Sequence, residues 1–150
     1  MSSLQQQFEH ILAIEDEKNQ RMITLKEDMY TLGRSGKTSI LIVDRQVSRH
    51  HATIIRKRDI RINKSSFWIM DGNLNGQKST NGLIINGKSC VSHKLKIGDI
   101  ILLGSKTKIK YYKFSLVALK QILKAGQTLN QSILERMLLR QEDSKQTMVI

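Results

Sequence analysis

The stretch YTLGRSGKTSILIVD, Tyr30 to Asp44, decides between two folds. Its Gly36-Lys37-Thr38 matches the end of a nucleotide-binding P-loop, which requires G-x-x-x-x-G-K-[ST] between a strand and a helix so that backbone N–H groups and the helix N-terminus converge on phosphate. Thr31 stands where the first glycine belongs, and Ser39 to Asp44 is a β-branched run with strand character rather than a helix start. The stretch therefore reads as strand, polar turn, strand, with no ATP cradle.

Working outward, residues 10–114 form a train of short apolar runs such as HILAIED, RMITLKE, HATIIRKR, SFWIMDG and KIKYYKF, broken by Gly, Asn, Asp and Ser. About nine short strands at this spacing leave no room for crossover helices, so the expected fold is all-β, an antiparallel sandwich or barrel. Asn86-Gly87 marks a two-residue hairpin turn, because both central positions favour positive φ. After Phe114 the apolar period lengthens to about 3.6. Leu116, Leu119, Ile122 and Leu123 form one helical face and Leu129, Ile133, Met137 and Leu138 another, with Ser132-x-x-Glu135 as a capping box. The expected organisation is a lead over 1–9, a β-domain over 10–114 and an amphipathic helical tail over 115–150. That tail packs back on the sandwich or serves self-association, and it ends in a frayed QEDSKQTMVI.

The 150 residues carry a net charge of +12, concentrated between 31 and 114, where seventeen Lys and Arg face four Asp and Glu. Such a field attracts anions without choosing among nucleic acid, membrane and phosphoprotein. The start MSSLQQQFEH lacks a basic and apolar leader, no run of 18 apolar residues occurs, and the single Cys90 fits a reducing compartment, so a cytoplasmic protein without membrane insertion is expected.

Four ordered motifs carry the chemistry: Gly33-Arg34, Ser48-x-x-His51, Ser79-Thr80-Asn81-Gly82 and Leu95-x-x-Gly98-Asp99-x-Ile101. Together they resemble the forkhead-associated (FHA) domain, of the type found in bacterial single-FHA-domain proteins. The resemblance implies an eleven-strand antiparallel β-sandwich, SMAD-like in architecture, whose end loops bind phosphothreonine peptides. It assigns Arg34 and Ser48 to the phosphate, Arg49 to an added charge, and Thr80 and Asn81 to the phosphate and the peptide backbone. Gly33, His51 and Gly82 support the loops. These residue types suit a phosphothreonine, whose roughly −1.5 to −2 charge and three acceptor oxygens call for a guanidinium and short donors on rigid loops. Two departures touch the peptide's C-terminal side: the segment GNLNGQK is long, and Leu83 stands where the family often has Thr.

The reading that follows is a phosphothreonine-dependent adaptor downstream of a Ser/Thr kinase, without catalysis or cofactor. Its partners are phosphothreonine-containing kinase substrates. Thr147, with Ile150 three residues on, is a candidate phosphosite that the same pocket could take up. The alternative is a basic nucleic-acid-binding β-domain, motivated by Arg56, Lys57, Arg58, Arg61 and Lys64, although the six aromatics from Tyr30 to Phe114 offer no evident stacking platform. Neighbouring strand residues His50 and His51 would face opposite sides, which argues against a metal pair. Ser48 and His51, three apart on a strand, would also diverge, which argues against a catalytic dyad.

Overall fold

The computed structural model describes residues 7–148, with side chains described to Gln141. Eleven strands build two sheets. They are β1 (Phe8–Glu15), β2 (Gln20–Thr24), β3 (Met29–Gly33), β4 (Ile40–Leu41), β5 (Ala52–Asp59), β6 (Lys64–Asp71), β7 (Leu83–Ile85), β8 (Lys88–Cys90), β9 (Ser92–Lys94), β10 (Ile100–Leu103) and β11 (Thr107–Ser115), followed by helices α1 (Leu116–Lys124) and α2 (Gln131–Met148). One sheet has the order β2-β1-β11-β10-β7-β8, the other β4-β3-β5-β6-β9. The sandwich holds as read, with one exception to antiparallel pairing. The turn after β3 returns the chain so that Leu32 and Gly33 pair in parallel with Ile40 and Leu41. Only two residues of the apolar run after Ser39 join the sheet.

Strand alternation sends Leu12, Ile14, Leu32, Ile54, Phe67, Ile69, Ile109 and Tyr111 into the space between the sheets. The run Ile11-Leu12-Ala13-Ile14 is buried without a break. Such a strand needs cover on both faces, and the outward Ile11, Ala13, Tyr112 and Phe114 receive it from Leu119 of α1 and Ile133, Leu134, Met137 and Leu138 of α2. The tail thus packs in cis on the outer face of β1 and β11. Asn86 and Gly87 take φ of 52° and 84° between paired Ile85 and Lys88, the hairpin that their dipeptide foretold.

Three details of the tail differ from the sequence expectation. Asn130, rather than Ser132, caps α2, its side chain accepting the Ile133 N–H at 3.0 Å. Glu135 is spent on the sheet instead of a capping box: it accepts from the Tyr112 hydroxyl and from Lys110 Nζ at 2.8 Å. Leu123 is exposed, while Leu134 joins the buried face. The main chain of α2 is helical through Met148.

If α2 is an integral part of the fold, Leu134→Ala, at a side chain with no exposure, lowers the unfolding free energy by about 2–5 kcal/mol. Leu139→Ala, at an exposed position of the same helix, stays within about 0.5 kcal/mol. Urea denaturation of both variants checks the contrast, and equal effects would remove the packed helix.

Candidate functional site

Three loops meet at one end of the sandwich: 34–39 after β3, 42–51 before β5, and 72–82 after β6. Gly33 sits so close to the second loop that a Cβ would stand 2.0 Å from the Arg49 carbonyl oxygen. That approach lets Arg34 N–H reach Ser48 O at 3.0 Å and Ser35 N–H reach Arg49 O at 3.2 Å. The Arg34 side chain is held at its root, with Nε donating to Val47 O at 3.1 Å. Its two terminal amino groups have no partner among the described residues. Thr38 is buried in the turn, its hydroxyl 2.6 Å from Ser35 O. The GKT is therefore turn structure, and a strand follows it.

Ser48 to His51 forms a turn, not the strand assumed in the sequence argument. Its geometry brings the Ser48 N–H, rather than the Ser48 hydroxyl, onto His51 Nδ1 at 2.9 Å. His51 Nε2 then carries the proton and donates to Gly82 O at 2.7 Å, joining the second loop to the third. Ser48 Oγ accepts the Thr80 N–H at 2.9 Å, which leaves its own hydroxyl proton to give away. Asn81 Nδ2 donates to Gln46 O at 2.7 Å, leaving its carbonyl oxygen as an acceptor. Arg34, Arg49, Thr80 and Asn81 are exposed and Ser48 is half-buried. The structure so brings Arg34 and Ser48 together with the Thr80-Asn81 loop. His50 is exposed and apart from these bonds, and among the described residues no group of three or more His, Cys, Asp or Glu could hold a metal.

The third loop is closed at its base by Asp71, which the sequence did not single out, together with Ser79 of the motif. Ser79 donates its hydroxyl to Asp71 and accepts the Gly82 N–H at 2.8 Å. The long segment folds on itself around Asn73, whose side-chain oxygen accepts from Asn75 N at 3.0 Å and Gln77 N at 3.1 Å. It bulges from the base without disturbing Ser79 to Gly82. Leu83 is core, fully buried in β7.

Asp44 anchors the loop that carries Ser48. Its carboxylate accepts from Gln46 N–H and Lys106 N–H, both at 2.9 Å, and from the Thr107 hydroxyl at 2.9 Å. Burial pushes its carboxyl up, but these bonds outweigh it and hold the group below its ordinary value of 3.8. With Asp44 and Asp71 both engaged inside the loops, the exposed groups of this end carry the charge of Arg34 and Arg49.

With this geometry in view, comparison with known proteins gives a family. The sequence model of the FHA domain matches residues 30–104. The chain belongs to the FHA domain family. The Slr1951 protein from Synechocystis sp., solved by crystallography, is 40% identical, with a TM-score of 0.64 over 69% of this chain and 96% of that one. The uncharacterized protein sll1895 of Synechocystis sp. is 36% identical over 100 residues, 67% of this chain, which spans only 14% of that relative's length. An FHA domain solved in work on phosphothreonine-dependent FHA domain interactions is 27% identical, with a TM-score of 0.54 over 69% of this chain and 95% of that one. The FHA domain is a non-catalytic binding module. In this FHA chain β1, β2 and β11 lie outside the matched residues, although β1 and β11 are interior strands of one sheet.

Two outcomes follow for this FHA domain's loops. Gly33→Ala forces the Arg49 carbonyl aside and costs about 1–3 kcal/mol, measured by chemical denaturation, although no site side chain is altered. A group held below its unfolded value favours the folded state above that value and loses the advantage as pH falls through its folded pKa. Stability should therefore drop below about pH 3.8, and Asp44→Asn should show a shallower acid limb in a pH series of denaturation midpoints.

Proposed function

We propose that Arg34, Ser48, Arg49, Thr80 and Asn81 bind the phosphothreonine of a partner protein, so that the chain acts as an adaptor between a Ser/Thr kinase and its substrates. Gly33, His51 and Gly82 hold the loops in place. The observation that carries this reading is Ser48, whose oxygen is already an acceptor from the Thr80 N–H, so its proton is available to a phosphate oxygen beside the anchored Arg34 guanidinium. A phosphate dianion is met by donors already fixed by folding, which removes most of the ordering cost of binding. The 27% identical FHA domain studied for phosphothreonine-dependent interactions supports the same ligand class. The binding module is taken as residues 10–114, and the single half-buried Cys90 suits the cytoplasm.

Thr147 belongs to the same reading as a ligand from within the chain, in cis or from a neighbouring molecule. Its main chain lies near the end of α2, while its side chain and Ile150 lie outside the described residues. A peptide of residues 141–150 phosphorylated at Thr147 should bind the pocket, and failure at high-micromolar concentration would end that part of the proposal.

The decisive assay is fluorescence anisotropy with one peptide in phosphothreonine, phosphoserine and unmodified forms. Wild type should prefer phosphothreonine, and Arg34→Ala should weaken binding by at least about tenfold. One charge-assisted bond contributes about 1.5–3 kcal/mol, and 1.4 kcal/mol is a factor of ten. Equal binding by wild type and variant would remove Arg34 from the site. Binding that ignores the threonine and collapses with salt would favour the nucleic-acid alternative.

A further inference from the structure

At the end of the sandwich opposite these loops, alternation sends bases inward where aliphatic side chains would ordinarily continue the core. His10 shares its face of β1 with buried Leu12 and Ile14, Lys113 shares its face of β11 with Ile109 and Tyr111, and Arg56 shares its face of β5 with Ala52 and Ile54. Register sets His10 opposite Lys113 and Arg56 opposite Phe67. Phe67 floors the space: the His10 ring meets it edge-on at 4.9 Å and the Arg56 guanidinium lies 4.9 Å from its centroid. His10 Nδ1 is 2.5 Å from the Tyr111 hydroxyl, and Lys113 Nζ lies over Phe8 at 4.6 Å.

These cations are poorly balanced. Asp28 stands 3.8 Å from Arg56 Nε, beyond hydrogen-bond distance, and its side chain is 90% exposed and so screened by water. Arg56 donates one terminal N–H to Lys26 O at 3.2 Å, yet its Nε is buried with no acceptor within hydrogen-bond distance among the described residues. A buried donor left unpaired is uncommon in folded proteins. Burial, then Lys113, then Arg56, holds His10 down at about 4. Burial, then Lys64 and Lys94, lowers Lys113. The arrangement carries positive potential, an unused donor and an opening, since the Arg56 side chain is 25% exposed.

We infer that this basic end of the sandwich is a second anion site, in which Arg56, Lys113 and His10 receive a tetrahedral oxyanion of the phosphate class, free or carried on a protein side chain. Two fixed cations and a titratable imidazole call for more than one negative charge and several acceptor lone pairs, which phosphate supplies and a single carboxylate does not. The bound anion opposes the field that His10 feels from Lys113 and Arg56, so it favours the protonated ring and raises the His10 pKa. The site is independent of the Arg34 loops.

The test is an NMR titration of the full chain carrying Arg34→Ala, which disables the proposed phosphothreonine site, with inorganic phosphate in one arm and a short phosphoserine peptide in the other. Saturable shifts are expected at the amides of His10, Arg56, Phe67 and Lys113, with the His10 ring pKa moving up from about 4. Arg56→Gln and Lys113→Gln should each weaken binding about tenfold. Tighter binding in the peptide arm identifies a protein-borne phosphate, and binding of inorganic phosphate alone identifies a free one. Shifts that never saturate, shifts unchanged in both variants, or a His10 pKa unmoved by saturating phosphate would overturn the site. Should either variant fail to fold, the His10 titration in the Arg34→Ala chain decides.

Discussion

One buried imidazole holds the binding end together. His51 has no exposure, and its four polar groups reach β3, its own loop and both ends of the third loop. Its N–H donates to Leu32 O at 2.8 Å in β3, and its carbonyl accepts from Gly72 N–H at 2.7 Å at the head of the third loop. Its ring accepts from Ser48 N–H and donates to Gly82 O. A side chain replacing it would have to span the same two loops while both accepting and donating, and leaving either backbone group unpaired in the interior is costly. The chemistry of the exposed residues depends on this interior residue.

From that tie the logic of the site follows. The loops consume their own acidic and carbonyl groups internally: Asp44 on the backbone of Gln46 and Lys106, Asp71 on Ser79, Val47 O on Arg34, Gln46 O on Asn81. What remains unspent is mostly donor capacity, at the Arg34 guanidinium and the Ser48 hydroxyl, together with the Arg49 charge. The ordering that a flexible loop would undergo on binding has largely taken place during folding. The long Asn73 to Gln77 excursion fits the same logic, because its hydrogen bonds are made among its own residues and the Asp71–Ser79 closure separates it from the site.

Much of this was legible in the chain. The β-branched run after Lys37 excluded a P-loop, Asn86-Gly87 gave its turn, and Gly33-Arg34, Ser48-x-x-His51 and Ser79-Thr80-Asn81-Gly82 each marked one of the three loops. The helical tail was readable from its period, and the unbroken run Ile11 to Ile14 is the strand that its apolar face covers. Less legible were contacts that depend on tertiary approach. Ser132-x-x-Glu135 has the form of a capping box, yet Asn130 has the helix-entry position and Glu135 is drawn to Tyr112 and Lys110, residues distant in sequence. Ser48 to His51 carries no proline or glycine to announce its turn, so a strand reading gave the wrong relation between the two side chains. The parallel pairing of Gly33 with Leu41 goes with the turn between them, in which the Thr38 hydroxyl donates to Gly33 O and Ser35 O, and strand spacing does not announce it. Asp71 looked like an ordinary loop residue, because its bond to Ser79 forms only once the third loop has closed.

The central claim is that separate loops, joined by His51, present Arg34 and Ser48 to one phosphate. The most direct measurement is a crystal structure of the chain with a phosphothreonine peptide. The account predicts the phosphate within hydrogen-bond distance of both the Arg34 guanidinium and Ser48 Oγ, with the His51 bonds to Ser48 and Gly82 intact. A phosphate held elsewhere, or one reached only after the His51 tie has broken, would contradict it.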